Sequence, residues 1–326
     1  MYPSHPVCAD GQLTGRGAVQ QILNGMHCSE RYYHQHKLFD EENWSQKVVA
    51  HSTEISRTYQ SAVAFLYGLL PTFDHEKISI NRASNINFCE ENIVGGSCSC
   101  SSVESLRGKA IRECRADEGY IELLKKHSHL VTHLSDVLGI RPKNIQWTSI
   151  MDGLSSFACH NTAPFCNSNH SCVTAKTVED VWKLVDHQSV CLHNNPHYKK
   201  FSKVSSYGLL YRIARELKMA VHTGSNSVFH LYSGHDTTVS PLITALELQD
   251  AVWPGYATMI VFELYQKKSS KENFIRILQN GKLVTSEVVF CQGVTTDGFC
   301  SLNRFLDYVL SEKINSTCQT INSGEK

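Results

Sequence analysis

Residues 231–246 of the chain read Leu231-Tyr-Ser-Gly-His-Asp-Thr-Thr-Val-Ser-Pro-Leu-Ile-Thr-Ala-Leu246. The residues at the amino-terminal side of this run, Ser227–Tyr232, are apolar, aromatic and β-branched, which predicts a short buried strand. On the carboxyl-terminal side, Val239–Leu248 has helical spacing, and Thr237 or Thr238 is the predicted N-cap. We therefore predict a strand that leads directly into a helix.

The turn between these two elements has the features of an anion site. A strand that ends at Gly234 leaves His235 and Asp236 at its carboxyl end, which faces the ligand crevice in an open α/β sheet. The following helix, with Pro241 predicted in its first turn, offers free N–H groups and the positive end of a dipole. An imidazole beside a carboxyl group can bind a phosphate there and donate a proton to its leaving group. The alternative is an ordinary loop dipeptide in which Asp236 only caps the helix.

A second strand-to-helix junction occurs earlier in the chain. Val48–Ile55 has the pattern of a strand, and a helix is predicted from about Ser56 to Tyr67. Arg57 then lies at the start of this helix, where its guanidinium can bind a phosphate. The alternative is an exposed helix arginine without a ligand.

The composition is that of an ordinary globular protein. The 326 residues are 41% hydrophobic and 19% charged, and their formal net charge is zero. This length suffices for one large domain or for a domain with a sizeable insertion. The balance of charges argues against nucleic acid as a partner.

The chain contains 13 Cys residues, spread over its whole length. This number predicts a disulfide framework formed in the secretory pathway, with one thiol left over or paired outside the chain. N-glycosylation sequons at Asn43, Asn169 and Asn315 fit the same compartment. A zinc site is a competing interpretation, although Cys-x-Cys spacing suits tetrahedral coordination poorly. Its ligands would be Cys98, Cys100, Cys159 and His160.

The sequence begins without a signal peptide and has no run of 18 apolar residues. The cysteines and sequons indicate the secretory pathway, but the sequence shows no signal that would direct the chain into it. We expect an incomplete amino terminus to explain it.

The rest of the chain predicts a core interrupted by a helical insertion. Helices are predicted over 117–137, from a capping box at 177–180 through 190, over 207–221 and over 302–310. Strands are predicted over 257–266, 273–279 and 283–290, with a hairpin turn at Asn280-Gly281. We expect residues 1–87 and 201–314 to form the two parts of an α/β core. Residues 88–200 are expected to form a mostly helical cap, and residues 315–326 a loose polar tail.

Three segments resemble motifs of the histidine acid phosphatases. Tyr232–Thr238 resembles the family's His-Asp motif, and Ser52–Gly68 resembles its second arginine motif. Gly11-Gln-Leu-Thr-Gly-Arg-Gly17 is similar to its Gly-x-Leu-Thr-x-x-Gly element. The resemblance extends to about Leu310. It implies an α/β core with a central, mostly parallel sheet flanked by helices, together with a smaller helical cap that carries disulfides. No metal or cofactor is implied.

The resemblance also implies a mechanism and the residues that perform it. A histidine in an amino-terminal Arg-His-Gly-x-Arg-x-Pro motif attacks phosphorus and forms a phosphohistidine. By motif position, Arg57 and His235 bind the phosphate, and Asp236 protonates the leaving alkoxide. The 326 residues contain no Arg-His-Gly-x-Arg-x-Pro motif. The chain as given is therefore expected to lack the nucleophile and to be inactive.

Other segments resemble a branch of this family found in the Golgi lumen; they include Tyr2–Cys8, Leu66–Asp74, Phe262–Gln266 and Arg276–Gly281. This resemblance implies removal of the 2-O-phosphate of xylose in the linkage region between glycosaminoglycans and proteins. The substrate is then a phosphorylated glycan or another phosphomonoester, and the complete protein is expected to carry a membrane anchor. Two alternatives stay open. One is a non-catalytic protein that binds phosphate or glycans, and the other is an acid phosphatase of broad specificity.

Overall fold

The computed structural model describes residues 11–74, 76–89, 103–142, 145–160, 163–222, 228–249 and 252–310. The chain divides into two compact units. The first, which we call the sheet unit, comprises Met1–Val103, Ser202–Gln249 and Pro254–Lys326. The second, which we call the helical unit, comprises Glu104–Phe201 and Asp250–Trp253.

Helices and strands follow one another along the described chain. In order they are α1 (Gly15–Cys28), α2 (Trp44–Lys47), β1 (Val48–Thr53), α3 (Ser56–Leu69), β2 (Ile80–Ala83), α4 (Val103–Arg115), α5 (Glu118–Lys126), α6 (Ser128–Leu138), α7 (Trp147–His160), α8 (Ala175–Asn194), α9 (Pro196–His222), β3 (Phe229–Ser233), α10 (Asp236–Leu246), β4 (Ile260–Gln266), β5 (Asn273–Gln279), β6 (Lys282–Leu283), β7 (Cys300–Ser301) and α11 (Leu302–Leu310). A π-helical segment, Ser29–Gln35, extends α1.

A three-stranded parallel sheet carries the part of the fold that concerns function. Its strands lie in the order β2-β1-β3, with Ser52 beside Ser233 at the carboxyl ends of β1 and β3. Two residues separate the end of β1 from the start of α3, and two residues separate the end of β3 from the start of α10. The amino termini of these two helices therefore lie at the same edge of the sheet. This arrangement confirms the predicted α/β class.

Helices α1 and α3 pack with their backbones in direct contact. A Cβ atom added to Gly25 would overlap the carbonyl oxygen of Phe65, and one added to Gly68 would overlap that of Ile22. No side chain fits at either crossing point. The two glycines thus allow the backbones of α3 and α1 to come into contact.

A second sheet of the sheet unit is antiparallel, with the order β4-β5-β6 and with β7 also paired to β5. Glu263 of β4 is buried, and it forms ion pairs with Arg31 at 2.5 Å and with Arg276 at 2.7 Å. The predicted hairpin at Asn280-Gly281 is confirmed. The third strand is shorter than predicted, because only Lys282–Leu283 pairs and the chain then continues in turns.

The helical unit consists of helices packed around one apolar cluster, which includes Leu134, Leu154 and Leu184. The disulfide Cys114–Cys191 joins α4 to α8. Residues 117–137 were predicted as one helix, and this prediction is wrong, because α5 ends at Lys126 and α6 begins at Ser128. His127 lies at the break, with φ −102° and ψ 23°.

Two further disulfides, Cys166–Cys172 and Cys291–Cys300, confirm the predicted use of cysteines. Cys28 is a buried free thiol. Four of the cysteines, and the sequon at Asn315, lie outside the described residues; these cysteines are Cys8, Cys98, Cys100 and Cys318. Within the described part, no helix is both long and apolar enough to cross a membrane.

Several helix boundaries differ from the predicted ones. Helix α8 begins at Ala175 with Thr174 as its N-cap, and Thr177 occupies the third helical position instead of the cap. Helix α10 begins at Asp236, three residues before the predicted start. Pro241 consequently lies in its second turn. By contrast, α11 matches the predicted bounds.

Candidate active site

The parallel pairing of β1 and β3 brings Arg57 and His235 together. Arg57 is the second residue of α3, and His235 is the N-cap of α10. Their closest side-chain atoms, Arg57 Nη2 and His235 Nδ1, are 3.4 Å apart. Two residues that are 178 positions apart in the sequence thus share one site at the carboxyl edge of the sheet.

His235 is buried, and hydrogen bonds hold both its ring and its backbone. Its side chain and backbone together are only 9% exposed. Its Nε2 atom lies 2.9 Å from Thr53 Oγ1, and its backbone N–H donates to Thr238 Oγ1 at 3.1 Å. Thr238 in turn donates to the carbonyl oxygen of Ile86 at 2.7 Å. These contacts leave the imidazole little freedom to rotate.

A chain of hydroxyl groups fixes the tautomer of this imidazole. Thr58 Oγ1 donates to the carbonyl oxygen of Ile55 at 2.7 Å, and Thr53 Oγ1 lies 2.7 Å from Thr58 Oγ1. Each hydroxyl has one proton, so Thr53 must donate to Thr58 and must accept from His235 Nε2–H. The lone pair of the neutral imidazole is therefore on Nδ1, which faces Arg57.

The surroundings of His235 favour its neutral form. Burial lowers the pKa of the imidazole, and the neighbouring charge of Arg57 lowers it further, whereas the charge of Asp236 opposes the shift. The neutral imidazole can only accept at Nδ1, so it must take up a proton there before it can donate to a phosphate oxygen. Anion binding at this site is thus coupled to protonation of His235.

Asp236 is the first residue of α10 and is half-buried. Its Oδ1 accepts a hydrogen bond from the backbone N–H of Thr237 at 2.7 Å. The carboxyl group therefore lies at the positive end of the helix dipole, next to the histidine. The prediction that a threonine caps this helix is wrong, because His235 has the extended backbone of an N-cap and Thr238 lies inside the helix.

The glycine-containing element near the amino terminus also reaches this site. A Cβ atom on Gly11 would lie 3.6 Å from Arg57 Nη1, and Gly11 has a φ of +70°. The backbone at Gly11 thus passes close to the guanidinium in a conformation that suits glycine. The first residue of the Gly-x-Leu-Thr-x-x-Gly element therefore lies beside the arginine of the second motif.

The sequence predicted Arg57, His235 and Asp236 as site residues, but the threonines that contact the histidine were not among the predicted residues. Thr53 and Thr58 are both nearly inaccessible to solvent. The available signal was a threonine on either side of Arg57, but serines at positions 52, 56 and 61 make this signal weak. The competing zinc site cannot be compared with the structure, because Cys98 and Cys100 lie outside the described residues.

The family model of the histidine phosphatase superfamily (branch 2) matches residues 3–280. The chain belongs to this superfamily. It is 32% identical to 2-phosphoxylose phosphatase 1 of Mus musculus over 297 residues, which are 89% of this chain and 59% of that protein. It thus spans about three fifths of the length of that relative. It is also 24% identical to prostatic acid phosphatase of Homo sapiens over 97% of this chain and 81% of that protein.

Solved structures of similar fold include the phytase of Citrobacter braakii. Its TM-score with this chain is 0.64 at 18% identity, and the match covers 98% of this chain and 92% of the phytase. The phytase of Klebsiella sp. ASR1 has a TM-score of 0.66 at 13% identity, covering 96% of this chain and 88% of that one. These likenesses support the histidine-phosphatase fold.

Proposed function

We propose that this chain provides the phosphate-binding and proton-donating part of a phosphomonoester hydrolase. One observation supports the proposal above all others: Arg57 Nη2 lies 3.4 Å from Nδ1 of a buried histidine whose other nitrogen is already engaged. A guanidinium and an imidazole that converge at the start of a helix suit a phosphoryl group.

In the proposed mechanism, Arg57 and protonated His235 hold equatorial phosphoryl oxygens. Asp236, next to His235 in the chain, donates a proton to the departing alkoxide, because an alkoxide is a poor leaving group. The phosphoryl acceptor in this mechanism is a histidine of an Arg-His-Gly-x-Arg-x-Pro motif, which the 326 residues do not contain. We therefore propose that these residues bind phosphomonoesters but hydrolyse them only when such a histidine is supplied.

The proposed substrate is the 2-O-phosphate of a xylose in the linkage region of a proteoglycan. Its support is the 32% identity to 2-phosphoxylose phosphatase 1 of Mus musculus. The disulfides support a place in the secretory pathway, and we propose the Golgi lumen as the compartment.

Anion binding to the purified chain tests the site. Sulfate is the better probe, because its charge stays constant over the relevant pH range, whereas the charge of phosphate does not. We expect Arg57→Ala to weaken sulfate binding by about 100-fold, since it removes up to two charge-assisted hydrogen bonds. His235→Ala should weaken it by about 10-fold at pH 5 and less at pH 7.5. Isothermal titration calorimetry measures both.

Arg304→Ala is the matched control, because Arg304 is an exposed arginine on α11 of the same unit. Equal losses for Arg304→Ala and Arg57→Ala would contradict the proposed site.

The 326 residues contain no Arg-His-Gly-x-Arg-x-Pro motif, and a second candidate function for them is therefore non-catalytic binding of phosphate or glycans. The full-length product of the gene should be assayed with a 2-phosphoxylosyl linker and with p-nitrophenyl phosphate. Hydrolysis of the linker alone supports the proposed function, and equal rates support a broad acid phosphatase. Sulfate binding without any hydrolysis favours the non-catalytic protein.

A further inference from the structure

We propose that the helical unit binds a divalent transition-metal ion, Zn²⁺ being the best fit, through His127, His129 and Asp180. One ligand atom from each residue lies within 4.8 Å of the other two. The sequence had predicted no metal ion in this chain, and the proposed site shares no residue with the candidate active site.

The first observation is a buried ring nitrogen without a partner. His127 is 8% exposed, and no atom of the described residues forms a hydrogen bond with its Nδ1. An unsatisfied buried polar atom destabilises a fold. Native proteins avoid this cost, so a partner from outside the chain is the simplest explanation for the open position.

The second observation is the carboxylate that this nitrogen faces. Asp180 of α8 is 3% exposed, and its Oδ2 lies 3.8 Å from His127 Nδ1. This separation is too long for a hydrogen bond. It is close to the distance of about 3.3–3.6 Å that separates two ligand atoms bound to one tetrahedral zinc ion.

The other oxygen of this carboxylate has two charged neighbours. Asp180 Oδ1 lies 2.8 Å from Lys176 Nζ and 3.8 Å from Lys183 Nζ. The carboxylate is thus oriented by a neighbour, as carboxylate ligands of metal ions commonly are.

His129 is the third proposed ligand and the only exposed one of the three. It is the second residue of α6 and is exposed, so its ring can approach the other two ligands without disturbing the core. Two imidazoles and one carboxylate are typical ligands of zinc, and a water molecule would fill the fourth position. The two lysines and the positive end of α6 oppose a cation, which limits the expected affinity to the micromolar range.

Metal titration of the full chain after treatment with a chelator tests the proposal. We expect one Zn²⁺ per chain, a melting temperature that rises with Zn²⁺ and not with Mg²⁺, and a Co²⁺ absorption spectrum typical of four ligands. His129→Ala should weaken Zn²⁺ binding by at least 10-fold, as should Asp180→Asn. The exposed position of His129 makes its substitution safe for folding.

His133→Ala is the matched control, since His133 lies one turn further along α6 and is not among the proposed ligands. It should change Zn²⁺ affinity by less than about twofold. The proposal is overturned if the chain binds no Zn²⁺, which would leave an ion pair between His127 and Asp180. It is equally overturned if His129→Ala and His133→Ala have the same effect. Neither result bears on sulfate binding at Arg57.

Discussion

Two histidines of this protein are buried to nearly the same degree, His235 at 9% exposed and His127 at 8% exposed, yet their surroundings differ completely. Both ring nitrogens of His235 have a neighbour within 3.4 Å. One ring nitrogen of His127 has no hydrogen-bond partner among the described residues. Burial alone therefore does not show which kind of ligand a histidine can bind.

The partners of each histidine distinguish two kinds of site. A threonine hydroxyl determines the tautomer of His235, and Arg57 favours its neutral form, so this imidazole must gain a proton before it can donate to an anion. His127 faces a carboxylate across a gap that suits a cation. The two proposals thus give Nδ1 a different role in each case: that of His235 donates to an anion once it is protonated, and that of His127 binds a cation.

The largest effect is expected from removing the long disulfide of the helical unit. Cys114→Ser with Cys191→Ser releases a bond that spans 77 residues, and we expect a loss of about 4 kcal/mol in the free energy of unfolding of that unit. Because α8 carries both Cys191 and Asp180, Zn²⁺ binding should weaken too. Chemical denaturation and zinc titration measure the two losses, while sulfate binding should stay unchanged.

The control for this variant is Cys166→Ser with Cys172→Ser, whose bond spans only 6 residues. Its expected cost is about 2 kcal/mol by the same chain-entropy argument. If Cys114→Ser with Cys191→Ser weakens sulfate binding as well, the sites at His235 and His127 are not independent of each other. That result would contradict the distinction drawn between them.

A smaller effect is expected from Thr53→Val, which keeps the shape of the side chain and removes the acceptor for His235 Nε2–H. The loss should be about 1–2 kcal/mol in sulfate binding at pH 5, because the imidazole is no longer held in position. Nitrogen NMR of the imidazole should show a mixture of tautomers in place of the single Nε2–H form. An exposed threonine of α6 supplies the control, Thr132→Val. An unchanged tautomer in Thr53→Val would disprove the hydroxyl chain.

The smallest expected effect is a decrease in the free energy of unfolding of the sheet unit at acidic pH. Burial, with the charges of Arg212 and His230, lowers the pKa of His51 to about 4. In the unfolded chain this imidazole takes up a proton as the pH falls below about 6.5, whereas in the folded chain it stays neutral until the pH nears 4. The contribution of His51 to the free energy of unfolding is therefore fully present above pH 6.5 and decreases as the pH drops towards 4. Between pH 7 and pH 5 we expect a loss of about 1 kcal/mol, given that His51 is only half-buried.

Urea denaturation at the two pH values measures this loss, and His51→Gln should reduce it. Sulfate affinity should change in the opposite direction, since it rises when His235 is protonated. A parallel decline of stability and sulfate affinity on acidification would contradict the neutral state assigned to His235.

Sequence patterns predicted the strand-to-helix junctions well, because their apolar and β-branched runs are local signals. Parallel pairing of two such strands then places Arg57 beside His235, which follows from the topology alone. The break at His127 could not be predicted, since no glycine or proline marks it. The contacts of Thr53 with His235 and of His127 with Asp180 depend on register and packing between distant segments, and no local pattern encodes them.

The crossing of α1 and α3 has a consequence for how variation in this protein should be interpreted. Gly68 lies eleven positions after Arg57, which along a helix is a distance of about 17 Å. Because backbone meets backbone at that crossing, an added methyl group forces α1 and α3 apart. A displacement of α3 would move the Arg57 guanidinium away from His235. Gly68→Ala is a conservative change far from any ligand, but it is expected to impair phosphate binding by moving Arg57.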